Sequence, residues 1–439
     1  MKNLTKQILR KFKIEIFNED LINITFLNEV NKKNKLLNIF INLLNKIFNK
    51  KIFLLKVSAS DAQKIQPYIY KKPPKKYDLL SLKNQNIQKG YIIVAGFGSS
   101  GSGSVVSYLN EFQNVFLLQA NDHPAEFRLV KDQGGLYDFY NQLSNHNNYW
   151  NNNFYRKNFI NLAKIMNRKT EKSFFNFLWS NKEKEIIGFD YQSITNNHFM
   201  KIINQYMSDI FFYKHEFSWY NDFVNLSYAE SIIRHCRINL NLEEKNFLLF
   251  SDLLKEDFLN KTKHFLSKLF TEVMEYKNNE KNWHIGKKFS NYSLVINQGI
   301  PPMFADDYLK IYPDNSKLIV VDRDPRDIYV SNLKHRFWPE NVEIFCKIFE
   351  LEREAFKKQK NKNIFFIQFE DWINDNSSVS KNLLEFLDLD SENRSYLKNH
   401  INSFEFSKTR IKKWEKNEYS SKSKIFDKIK VLLPKYCVD

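Results

Sequence analysis

Apolar residues in this chain follow two rhythms. Short unbroken apolar runs with β-branched content stand at YIIVA (91–95), NVFLLQ (114–119), SLVINQ (293–298), KLIVVD (317–322) and NIFFIQF (363–369). Runs of this length predict strands buried on both faces. Helical spacing appears between them, at VVSYLNEF (105–112), ADDYLKIYP (305–313), DIYVSNLKH (327–335) and EIFCKIFELEREAFKK (343–358). Strands alternating with helices predict a three-layer α/β fold with a mostly parallel sheet, whose ligands bind at the carboxyl ends of the strands. The stretch from about 140 to 290 scatters aromatics at helical spacing among polar runs such as NHNNYWNNN (145–153) and is expected to be a mainly helical insertion. Residues 1–85 read as an N-terminal helical appendage and linker, the turn-rich, basic YKKPPKKYD (70–78) marking where the helical part ends. The α/β domain is expected over 86–425, with 426–439 a C-terminal tail.

Charge narrows the range of partners. The 439 residues carry a net charge of +17, which favours anionic ligands and surfaces. No paired Cys/His ligands and no RNA-binding aromatic signature accompany it, so nucleic acid is not the expected partner and no metal is expected. Cys236, Cys346 and Cys437 form neither a zinc pattern nor a disulfide framework, which suits a reducing compartment. The stretch LLNIFINLLNKIFNKKIFLL (36–55) is broken by Asn and Lys, making it a poor spanning helix. It reads as an amphipathic helix that packs on the core or lies on a membrane surface. A cytoplasmic protein with peripheral membrane contact is the expectation.

Two segments carry chemistry. The first is GFGSSGSGS (96–104), which joins a predicted strand to a predicted helix. Glycines let backbone N–H groups approach an anion, and the helix N-terminus adds a positive dipole. As a Walker A loop it fails, because Ser102 stands where the lysine would follow Gly101. As a dinucleotide fingerprint, Gly96, Gly98 and Gly101 spell GxGxxG with Asp122 about 20 residues on. The second segment is KLIVVDRDPRDIYVSNL (317–333), where Arg323 leaves the end of a strand and offers a planar fork of donors. The alternative for Arg323 and Arg326 is local pairing with Asp322, Asp324 and Asp327.

Together the loop at 96–104 and RDPRDIYVS (323–331) resemble the two nucleotide-binding motifs of the PAPS-dependent sulfotransferases, where PAPS is 3′-phosphoadenosine 5′-phosphosulfate. DYLKIYPDNSKLIVV (307–321), FIQFEDWINDNSSVSKNLLEFLDL (366–389) and SKTRIKKWEKN (407–417) extend the likeness, which spans roughly 90–420. The resemblance implies the P-loop-like sulfotransferase fold, with Gly98, Ser99, Ser100, Gly101, Ser102, Gly103 and Ser104 cradling the 5′-phosphosulfate. It implies Arg323 and Ser331 on the 3′-phosphate, and Arg410, Lys412, Lys413 and Trp414 in a basic segment that closes over the nucleotide. It also implies in-line transfer of the sulfonyl group from PAPS to a hydroxyl or amine, with PAP as product and no metal. Glu126 is the first candidate for general base and His123 the second. Many members carry Lys or Arg where Ser99 stands. Arg128, Lys131, Lys412 and Lys413 are candidates to replace that cation. Two readings stand beside this one: an NAD(P)-dependent Rossmann oxidoreductase, and a non-catalytic nucleotide- or glycan-binding protein. The basic surface suits a glycan or lipid-linked saccharide of the cell envelope as acceptor.

Overall fold

The computed structural model describes residues 90–112, 114–118, 127–145, 149–168, 171–172, 185–186, 189–216, 247–280, 293–335, 338–391 and 407–438. The expected appendage at 1–85, the stretch 36–55 and the residues Asp122, His123 and Glu126 lie outside the described residues. The chain divides into two units, one of 73–212 with 249–439 and one of 1–72 with 213–248. Part of the insertion expected at about 140–290, including 217–246, also lies outside the described residues. All elements below belong to the larger unit.

The chain enters through β1 (Gly90–Gly96), α1 (Ser102–Leu109) and β2 (Val115–Leu117). Helices α2 (Leu136–Asn145), α3 (Tyr149–Met166), α4 (Phe199–Ile210) and α5 (Lys255–Glu280) come next. Then come β3 (Ser293–Asn297), α6 (Ala305–Leu309), β4 (Ser316–Asp322), α7 (Pro325–His335) and α8 (Val342–Phe356). The last elements are β5 (Ile364–Gln368), α9 (Phe369–Asn374), α10 (Asn376–Leu387) and α11 (Ser423–Leu432).

The five strands form one parallel sheet in the order β2-β3-β1-β4-β5. Alternation along the strands explains the layers. Ile92, Val94, Val295, Ile319 and Val321 face a core completed by α1, α9 and α10. Tyr91, Ile93, Leu294, Ile296, Leu318 and Val320 are equally buried, on the opposite face. There Tyr91 meets Phe270 of α5, ring centroids 5.0 Å apart. Strands β1, β3 and β4, buried on both faces, need the continuous apolar runs that the sequence supplies, whereas Phe366 on the edge strand β5 is exposed.

Topology fixes where a ligand fits. From β1 the chain moves toward β2 on one side, and from β4 it moves to β5 on the other. The carboxyl ends of β1 and β4, with Gly96 opposite Val321, therefore flank a switch point, where open α/β sheets bind ligands. The same order weakens the dinucleotide-fingerprint reading: β3 lies between β1 and β2, so a residue just after β2 is two strands from the glycine loop.

The expected C-terminal tail at 426–439 is corrected. Phe426, Ile429 and Leu433 are buried with Ile328, Tyr329 and Val330 of α7 and Phe345 and Phe349 of α8, so apolar burial docks α11 as part of the domain. Among the described residues no helix is long and apolar enough to cross a membrane.

Candidate functional site

The glycine loop turns sharply at the end of β1. Gly98, Ser99 and Gly101 have φ of 78°, 55° and 93°. At Gly101 packing adds to this, since a Cβ would lie 2.3 Å from the Phe369 ring. Gly101 also caps α1 without a side chain: its carbonyl accepts the Ser104 N–H at 2.9 Å, and no cap side chain covers the N–H groups of Ser102 and Gly103. The serines differ in employment. Ser102 Oγ accepts from Gln298 Nε2 at 2.8 Å, and Ser104 Oγ accepts from Trp372 Nε1 at 3.1 Å. Ser100 Oγ is buried and makes no hydrogen bond.

The arginine loop lies beside it. Arg323 comes directly after β4 and is 3% exposed. Its Nη1 donates to the Ser99 carbonyl at 3.4 Å, which brings the two sequence motifs together. Its Nη2 pairs with Asp327 Oδ2 at 2.9 Å and donates to the Arg410 carbonyl. The guanidinium lies 5.0 Å from the Phe369 ring centroid. Nε of Arg323 is buried and has no partner. Local pairing of the acidic residues is also present: Arg326 takes Asp324 and Arg353 takes Asp322, each through two nitrogens.

The basic C-terminal segment closes the group. Asp327 accepts from the backbone N–H of Lys412 at 3.0 Å and of Lys413 at 2.7 Å. Burial raises the Asp327 carboxyl, against the pull of Arg323. Burial lowers Lys413, helped by the charges of Arg323 and Arg410, and burial with Arg323 lowers Arg410. Like charges that crowd one another in this way favour an added anion. Trp414 lies on Arg326, 4.0 Å from ring centroid to guanidinium.

Loop, Arg323 and the 410–413 segment thus meet at the switch point. Ser331 sits two turns along α7, its hydroxyl donating to the Asp327 carbonyl at 3.0 Å. Of the residues considered to replace a loop cation, Lys413 is coupled to Arg323, Lys412 lies 3.9 Å from Glu415, and Arg128 pairs with Asp132 at 2.8 Å. Sequence reasoning missed Gln298, whose position at the end of a predicted strand was the available signal. It also missed Trp338, which lies 3.1 Å from where a Gly98 Cβ would stand. A buried donor without a partner, an unpartnered serine hydroxyl and an uncapped helix N-terminus fit an oxyanion ligand such as phosphate or sulfonate. Among the described residues no group of three or more His, Cys, Asp or Glu could hold a metal ion.

Comparison with known proteins is consistent with this geometry. Residues 308–432, which include the arginine loop and the basic segment, match the family described as a sulfotransferase domain. No curated protein matches the chain. Among solved structures, sulfotransferase STF9 from Mycobacterium avium is 11% identical, with 82% of this chain and 78% of that one covered at a TM-score of 0.31. The sulfotransferase domain of the Synechococcus PCC 7002 olefin synthase is 13% identical, covering 46% and 68%, at 0.21. The sulfotransferase domain from the curacin biosynthetic pathway is 15% identical, covering 49% and 82%, at 0.24. Scores this low carry no argument of their own.

Proposed function

We propose, from the likeness of residues 308–432 to the sulfotransferase domain family, that this chain transfers the sulfonyl group of PAPS to a hydroxyl or amine acceptor. The observation that carries the reading is Arg323, a nearly buried guanidinium with an unpartnered Nε against the glycine loop. Arg323 and Ser331 would hold the 3′-phosphate of the donor. Backbone N–H groups of 98–104 and the start of α1 would hold the 5′-phosphosulfate, with Lys413 and Arg410 adding positive charge. PAPS supplies an activated sulfonyl group whose leaving group is the phosphate of PAP.

The chain's own work is then positional and electrostatic, as in phosphoryl transfer. Glu126 takes the acceptor proton in this proposal, with His123 as the second candidate. The Gln298 carboxamide holds Ser102 and so orients the first turn of α1. A glycan or lipid-linked saccharide is the proposed acceptor class, in keeping with the net charge of +17. Residues 36–55 are the proposed peripheral membrane contact of a cytoplasmic enzyme.

The test is PAP formation from PAPS with a panel of saccharide acceptors. Acceptor-dependent PAP release that falls at least about a hundredfold in Glu126→Gln, within the usual range for a general base, while PAP still binds, is the expected result. A fully active Glu126→Gln would remove Glu126 from the mechanism. Tight PAP binding with no transfer to any acceptor would favour the non-catalytic binding protein, which Ser99 in place of a loop cation already suggests.

A further inference from the structure

The glycine loop and the arginine loop follow the neighbouring strands β1 and β4, and each is short. Something must fix one against the other if both are to grip a single ligand. The contact between Arg323 Nη1 and the Ser99 carbonyl is long, 3.4 Å, and would compete with any anion for the same donor. A stronger link lies directly behind the two loops.

Arg353, on the last turns of α8, is 2% exposed. Its Nη2 donates to Asp322 Oδ1 at 2.8 Å and its Nε to Asp322 Oδ2 at 3.1 Å. Asp322 Oδ1 also accepts the backbone N–H of Arg323 at 2.8 Å, so the carboxylate that Arg353 grips orients the start of the arginine loop. The same guanidinium lies over two aromatic rings, its carbon 3.5 Å from the Phe349 ring centroid and 4.0 Å from that of Phe97. Phe97 is the residue immediately before Gly98 and is 4% exposed. Arg353 therefore holds the residue before each anion-binding segment, Phe97 by its face and Asp322 by its fork.

Burying this ion pair is costly, and an apolar side chain would pack the same space at less expense in free energy. An apolar replacement could not hold Asp322 in one orientation, and a lysine has neither the planar fork nor the stacking face. We propose that Arg353 is a positioning residue that locks the glycine loop to the arginine loop, so that both present their donors to one ligand. It touches neither ligand nor reacting atoms. The inference rests on the donor-site reading above only for the identity of that ligand.

The test combines hydrogen exchange in the ligand-free protein with PAP affinity by calorimetry, for Arg353→Lys, Asp322→Asn and the double variant. Arg353→Lys should speed exchange in both 96–101 and 322–326, while the core of α5 at 264–273 keeps its wild-type rate. PAP affinity should fall about tenfold, the scale of one charged hydrogen bond. The double variant should bind no more weakly than the weaker single one, because the two residues act as a unit. If Arg353→Lys does not fold, Asp322→Asn breaks the same bidentate pair at nearly constant volume, since one acceptor oxygen becomes a donor, and gives the same readout. Unchanged exchange at either loop in a folded variant would overturn the proposal, however PAP binds. Loops that loosen in a protein that never binds PAP would overturn the donor reading and leave the lock standing.

Discussion

Three carboxylates within six residues, Asp322, Asp324 and Asp327, are each buried, and each takes a different arginine: Arg353, Arg326 and Arg323. The sequence made Arg323 and Arg326 visible, because a strand-end arginine with a proline close behind it is a local pattern. It could not show Arg353, which comes from the next helix and meets Asp322 only after α8 has packed across the strand ends. The pairing also leaves a neighbour under strain. Glu352 is raised from 4.5 to about 7, first by burial and also by Asp322, against the pull of Arg353. Folding therefore favours its protonated form, and its ionisation removes stability as pH rises from about 4.5 through about 7. Glu352→Gln removes that dependence. Its melting temperature should match the wild type near pH 4.5, exceed it increasingly toward pH 7 and hold a constant lead above about pH 8. Thermal scans across that range check this, and a lead that does not vary with pH would contradict it.

At the scale of elements, β1, its loop and α1 form one device. The strand was legible because burial on both faces demands an unbroken apolar run, and the loop because its glycine and serine density exceeds what a turn needs. The reason for Gly101 was not legible, since Phe369 comes from α9 on the far side of the sequence. Gly101→Ala must place a Cβ 2.3 Å from that ring while holding φ at 93°. It should cost about 2–4 kcal/mol, combining backbone strain with overpacking. Urea denaturation should show a lower midpoint with an unchanged slope, and an unchanged midpoint would mean that Phe369 moves freely. Helix α11 teaches the opposite lesson. Its apolar residues Phe426, Ile429 and Leu433 are spaced for a helix face, but the short polar-rich stretch around them read as a tail until α7 and α8 supplied its partners.

At the scale of the molecule, the parallel order β2-β3-β1-β4-β5 brings residues 98–104, Arg323 and Arg410–Lys413 to one end of one sheet. Their separation in sequence conceals this, and only the resemblance of the two segments to sulfotransferase motifs suggested it in advance. The order also separates this fold from the dinucleotide arrangement that GxGxxG suggests. The central claim is that this sheet end holds PAP. Purified protein should be heated with PAP, NAD or ATP at equal concentration. A ligand that binds the native state at a hundredfold excess over Kd adds about 2.7 kcal/mol of apparent stability. The account predicts a raised melting temperature with PAP alone, lost in Arg323→Ala. Stabilisation by NAD with none by PAP would contradict it and return attention to the glycine loop and Asp122.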